Sequence, residues 1–134
     1  MAGKYLLDTD ICIYLRAGRS RKAAQKFASL SQGEAAISTI TYGELCYGAE
    51  KSASPTVKDK LARVVERLIV LPIPMSAGAH YGAVRRRLEI DGETMGGNDL
   101  WIAACALALN LTLVTNNERE FRRISGLAVE NWVK

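Results

Sequence analysis

A chain of 134 residues, 49% hydrophobic and without a Pro/Gly/Ser-rich linker, can bury roughly two-thirds of its unfolded surface around one core, so residues 1–134 are expected to form a single domain. The single histidine, His80, excludes Ser-His-Asp and Cys-His catalysis and the two-histidine acid–base pair of metal-free ribonucleases; Cys12, Cys46 and Cys105, odd in number and far apart, argue against a disulfide framework or a zinc site. The formal net charge of +4 is concentrated in three groups, Arg16/Arg19/Arg21/Lys22, Arg85–Arg87 and Arg119/Arg122/Arg123, which suit either a polyanion or ordinary solvated helix faces.

In chain order, Met1 to Lys4 lead into a short apolar run that meets Asp8 at once, so neither a secretory h-region nor a transit peptide is expected and a cytoplasmic protein is. Tyr5-Leu6-Leu7 reads as a buried strand with Asp8 at its carboxyl end, turning into a helix through Ile11–Leu15. Ala23, Ala24, Phe27 and Leu30 recur at helical spacing between Ser20 and Leu30, and Ala35–Ser38 is a second short strand. Thr41-Tyr42-Gly43-Glu44 has the S/T-x-x-E form of a capping box and is expected to open a helix ending near Ser52. Ser54-Pro55 opens another, with Val57, Leu61, Val64, Val65 and Leu68 on one face, and Ile69–Leu71 is a strand stopped by Pro72.

Ser76 to about Ile90 reads as a helix with Tyr81, Val84 and Leu88 inward, closed by Asp91-Gly92. Gly96-Gly97-Asn98-Asp99 then enters a run that is apolar from Leu100 to Leu109. It is too short for the ~20 residues of a membrane span and has no polar face, so it belongs at the centre of the core, with the Asp99 carboxylate at its mouth. Thr112–Thr115 is a fourth strand, Asn117 to Ile124 a short helix, and Leu127–Val129 a weaker last strand.

Strands alternating with helices predict an α/β three-layer sandwich: a mainly parallel central sheet of four to five strands, helices on both faces, and a ligand site beyond the carboxyl ends of the strands. Asp8, Glu44, Asp99 and the Thr115-Asn116-Asn117 segment all fall on that edge. Carboxylates brought together repel one another, and a hard cation with oxygen ligands, Mg²⁺ or Mn²⁺, is the compensating charge that needs no histidine. Each residue also has a plainer reading: Asp8 or Asp10 as cap of the first helix, Glu44 as capping-box glutamate, Asp99 and Asn117 as caps of the central and short helices.

Four tokens in order, Leu7-Asp8-Thr9-Asp10, Ile40-Thr41-Tyr42-Gly43-Glu44-Leu45 with Gly48-Ala49, Gly97-Asn98-Asp99-Leu100-Trp101-Ile102-Ala103, and Val114-Thr115-Asn116-Asn117 leading to Glu120-Phe121, resemble the VapC-type toxins of the PIN-domain endoribonuclease family over essentially the full length. The resemblance implies a PIN-like fold and Asp8, Glu44 and Asp99 as metal-ligating carboxylates. It further implies Mg²⁺- or Mn²⁺-dependent cleavage of tRNA or rRNA leaving a 5′-phosphate, a homodimer, and inhibition by a VapB-type antitoxin in a hetero-oligomer. Many PIN domains carry a fourth acid where this chain has Asn117; Glu120 is the other acid at that corner, as a substitute or a cap partner. A receiver-like phosphoacceptor domain is the competing aspartate-rich reading, and it lacks its acceptor Asp at Ser38 and Pro72 and its late lysine. For a dimer, the expected face is Tyr42, Leu45 and Tyr47 beside Val57, Leu61 and Val65.

Overall fold

The computed structural model describes residues 4–134. Three short strands rich in apolar residues are nearly or wholly buried: β1 (Tyr5–Leu7), β2 (Ala35–Ser38) and β4 (Thr112–Val114). With β3 (Ile69–Leu71) and β5 (Val129–Glu130) at the edges they form one parallel sheet in the order β3-β2-β1-β4-β5.

Side chains alternate between two cores, as the two-residue period of a strand requires. Tyr5, Leu7, Ala35, Ile37 and Val114 face the layer made by α1 (Thr9–Ala17), α2 (Arg21–Ala28), α3 (Thr39–Ser52) and α4 (Pro55–Glu66). Leu6, Ala36 and Leu113 face α5 (Ala77–Ile90), α6 (Gly97–Leu109) and α7 (Glu118–Phe121). Helix α6 is the apolar run read from the sequence, with Leu100 and every residue from Ile102 to Ala106 buried. Its partner α5 crosses it through a stacked Tyr81–Trp101 pair, centroids 4.1 Å apart. The three-layer architecture is the expected one.

Local boundaries differ in four places. Helix α3 starts at Thr39, because the Ser38 hydroxyl takes the Thr41 N–H at 3.1 Å; Ser38 is the cap, Thr41 is a buried residue of the first turn, and the expected Thr41/Glu44 capping box does not form. The last strand is Val129–Glu130, pairing with Leu113 and Val114, rather than Leu127–Val129. The short helix stops at Phe121, and Arg122 to Gly126 continue as turns with Ile124 packed inward. Finally, Leu45 and Leu61 of the expected dimer face are already buried inside the protomer, in the seam between α3 and α4, while Tyr42 and Tyr47 stay exposed. Among the described residues, no helix is long and apolar enough to cross a membrane.

Candidate active site

From β1 the chain passes to β2 and β3 on one side and later returns to β4 and β5 on the other, so the order reverses between β1 and β4. Parallel sheets open a crevice at that point, beyond the strand ends. Asp8 follows β1 and Thr115 follows β4, both buried. The Thr115 hydroxyl donates to Asp8 Oδ2 at 2.8 Å and accepts the Asn117 N–H at 3.0 Å, while Asp8 Oδ1 takes the Thr9 N–H at 2.8 Å. Asp8 is thus both the cap of α1 and a wall of the crevice.

In the second turn of α3, Glu44 is the next wall. The Thr9 hydroxyl donates to Glu44 Oε1 at 2.5 Å and the Asn98 amide to Oε2 at 3.3 Å, so α1, α3 and α6 are tied through this one carboxylate. Asp99 sits in the first turn of α6, whose cap is Gly96 with no side-chain cap bond, leaving the carboxylate free to face the crevice. Asn117 precedes α7 without capping it; its amide donates to the Glu120 carboxylate.

The electrostatics follow from burial and crowding. Desolvation first, and then the neighbouring Asp10, push the Asp8 carboxyl up to about 6 against the bonds from Thr115 and Thr9, with Glu44 adding to the rise. Asp99 is also raised to about 6, by desolvation and by the charges of Asp8, Glu120 and Glu44. Asp10 is raised by burial and by Asp99; its Oδ2 takes the Asn116 N–H at 3.1 Å, and its Oδ1 is buried with no partner. Burial and the charges of Asp8 and Asp10 raise the Cys12 thiol, which keeps it protonated and unsuited as a ligand.

Among the described residues, none of these carboxylates forms a salt bridge with a lysine or arginine, and no three His, Cys, Asp or Glu side chains stand close enough to enclose an ion directly. Asp8, Glu44, Asp99 and Glu120 therefore share one field without closing into a cage. Mg²⁺ itself uses one or two carboxylates and keeps several waters. An all-oxygen donor set, partly desolvated, uncompensated and holding an orphaned carboxylate oxygen, fits a hard divalent cation.

What reasoning from sequence did not find is how the segment after β4 is tied behind the carboxylates, through Tyr14 and Asn131. The Asn116 side chain donates to the Tyr14 hydroxyl at 3.2 Å and accepts from Asn131 at 3.2 Å, and Asn131 in turn takes the Val133 N–H at 2.9 Å. The signal was faint: paired asparagines after a strand, and one more after the last.

The PIN domain family model matches residues 5–127. The chain is 40% identical over 132 residues to the tRNA(fMet)-specific endonuclease VapC of Shigella flexneri, covering 96% of this chain and 98% of that one. It is 40% identical over 134 residues to ribonuclease VapC2 of Haemophilus influenzae, covering 97% and 98%. In structure it resembles a chain of VapBC2 from Rickettsia felis bound to a DNA fragment from their promoter (TM-score 0.86, 36% identity, 96% and 98% covered). DNA-bound VapBC from Salmonella typhimurium is a second neighbour (TM-score 0.84, 38% identity, 98% and 99% covered). With the family model spanning nearly the whole chain, and relatives of this identity over nearly their whole length, the protein belongs to the VapC-type toxins of the PIN-domain family.

Proposed function

We propose that this protein is the toxin of a type II toxin–antitoxin pair, a Mg²⁺-dependent endoribonuclease that hydrolyses phosphodiester bonds of tRNA or rRNA. The observation that carries the reading is the set of desolvated carboxylates with no cationic partner at the switch point of the sheet, in a chain whose relatives are named ribonucleases. Asp8, Asp99 and Glu44 would hold Mg²⁺, with Mn²⁺ the alternative. When bound, the cation supplies positive charge against the phosphodiester and orients the attacking water.

The chain's own groups do the rest. The Thr115 hydroxyl and the Thr9 N–H fix both oxygens of Asp8, and the Thr9 hydroxyl and the Asn98 amide fix those of Glu44. Glu120 adds charge at the Asp99 corner, where Asn117 contributes an amide and no charge.

A VapB-type antitoxin is the expected partner, since the structural neighbours are VapBC assemblies; a basic side chain placed in the acidic crevice would silence it. Cytoplasmic location and a homodimer complete the proposal. The test is cleavage of tRNA and rRNA transcripts in Mg²⁺ against EDTA: activity only with the cation is expected, and activity that survives EDTA overturns the mechanism.

A further inference from the structure

The crevice does not end at Glu44. Thr9, Ile13 and Arg16 lie on one face of α1, and Glu44, Gly48 and Lys51 on one face of α3, at the three- and four-residue spacings that align side chains. Both helices start at the crevice, tied there by the Thr9–Glu44 bond, and between them runs a groove of 440 Å³ lined by Ile13, Arg16, Glu44, Gly48, Lys51 and Leu61, among others. Seven residues of helix separate Thr9 from Arg16 and Glu44 from Lys51, so the two cations stand about 10 Å from the carboxylates, a reach of one or two nucleotides.

Charge says what belongs there. The arginines of α5 and the pair that follows α7 have acidic neighbours: Arg85 and Arg86 meet Glu89, Arg87 meets Asp91, Arg122 meets Glu118 and Arg123 meets Glu93. Arg16 and Lys51 form no salt bridge among the described residues. Lys51 lies 6.0 Å from the ring of Tyr47, a tyrosine 67% exposed beside the groove and able to stack on a base. Space is available too, since a Cβ built at Gly48 meets nothing within 4 Å.

Resting on the nuclease reading above, we propose that the α1–α3 groove is a subsite for the RNA strand flanking the scissile phosphodiester, with a backbone phosphate held by Arg16 and Lys51. The cation-bearing groove on one side and the carboxylate crevice on the other then form one continuous track, in which Arg16 and Lys51 set the register of the strand and the crevice is where it is cut.

The test measures binding of a short fluorescein-labelled single-stranded RNA in EDTA, so that no cleavage intervenes, together with cleavage in Mg²⁺. Arg16→Gln and Lys51→Gln are each expected to weaken binding several-fold and to lower the slope of log K against log salt by about one, with KM raised more than kcat is lowered. Gly48→Leu, a change that favours helix and fills the groove, should weaken binding without a lower melting temperature. Arg86→Gln, an equal charge loss on α5, should do neither. Parent-like binding and salt slope in Arg16→Gln, Lys51→Gln and Gly48→Leu, while the parent still cleaves, overturns the subsite alone. Parent-like RNA binding together with lost inhibition by the antitoxin overturns it in favour of a protein-docking groove. A parent that cleaves no RNA overturns the nuclease reading and the subsite with it.

Discussion

Carboxylates occur in two settings in this molecule, and the same chemical group behaves oppositely in them. On the outer surface Glu118 receives Lys134 at 3.0 Å and Arg122 at 3.2 Å, and those bonds hold its carboxyl below the usual range. In the crevice Asp8 and Asp10 have hydroxyl and backbone N–H donors, none of Asp8, Asp10 and Asp99 meets a lysine or arginine among the described residues, and all three carboxyls are raised. The chain is rich enough in lysine and arginine, 18 against 14 acids, to have neutralised the crevice; it places the available cations elsewhere. Desolvated carboxylates gathered in a crevice without cationic partners mark a candidate functional site.

The largest expected effect comes from removing that charge. Asp99→Asn and Asp8→Asn keep size and a hydrogen-bonding oxygen, so cleavage should fall by orders of magnitude while the metal-free melting temperature changes by no more than the ~1 kcal/mol scale of a cap contact, or rises as repulsion is relieved. A cleavage assay beside a thermal melt checks both; parent-like cleavage by Asp99→Asn would return that residue to a purely structural role.

A smaller effect is the reversal of sign between the two settings with pH. Between about 4 and about 6 the folded crevice retains protons that the unfolded chain has released, so metal-free stability should fall as pH rises through that window and then level off. Glu118 works the other way: its contribution is present above the ordinary carboxyl range and is lost as pH falls through its lowered value. Free Mg²⁺ at ~100 times its Kd should restore about 2.7 kcal/mol above pH 6 and little near pH 4, where protons occupy the carboxylates. Melts on a grid of pH and Mg²⁺ read this directly, and a Mg²⁺ effect independent of pH would break the contrast.

Next in size is Asn117→Ala, which removes an amide from Glu120 but no charge, and should cost less activity than either aspartate change. Least of all, Glu118→Gln should leave both cleavage and melting temperature within experimental scatter at neutral pH, since exposed pairs contribute little.

How much of this could be read in advance depended on whether the signal was periodic or singular. The alternation of short apolar strands with helices and the unbroken run from Leu100 to Leu109 are patterns spread over many residues, and they placed the sheet, the helices on both its faces and the edge that holds the candidate site. Caps are single residues in competition, and there the nearer serine won: Ser38 reaches the Thr41 N–H and makes Thr41 a helix residue, which frees Glu44 to face Thr9 and Asn98. Asn116 was legible only as part of the segment leaving the fourth strand; its ties to Tyr14 and Asn131 carry no local pattern, because they exist only once distant parts of the chain are adjacent.

On the proposed reading of the crevice, that last point bears on when cutting becomes possible at all. The bonds that shape the crevice join residues 35, 54, 106 and 107 positions apart, and Asn116 is braced by a residue 15 positions further on. Contacts of such sequence separation form late, after the loop-closure entropy has been met by packing. A nascent chain on the ribosome, or an intermediate with only β1 to β3 assembled, has Asp8 and Glu44 but neither Thr115 nor Asp99 beside them. Cutting competence arrives with the last third of the chain, in one step with the completed sheet, and a partner that captures the newly finished fold needs to act only then.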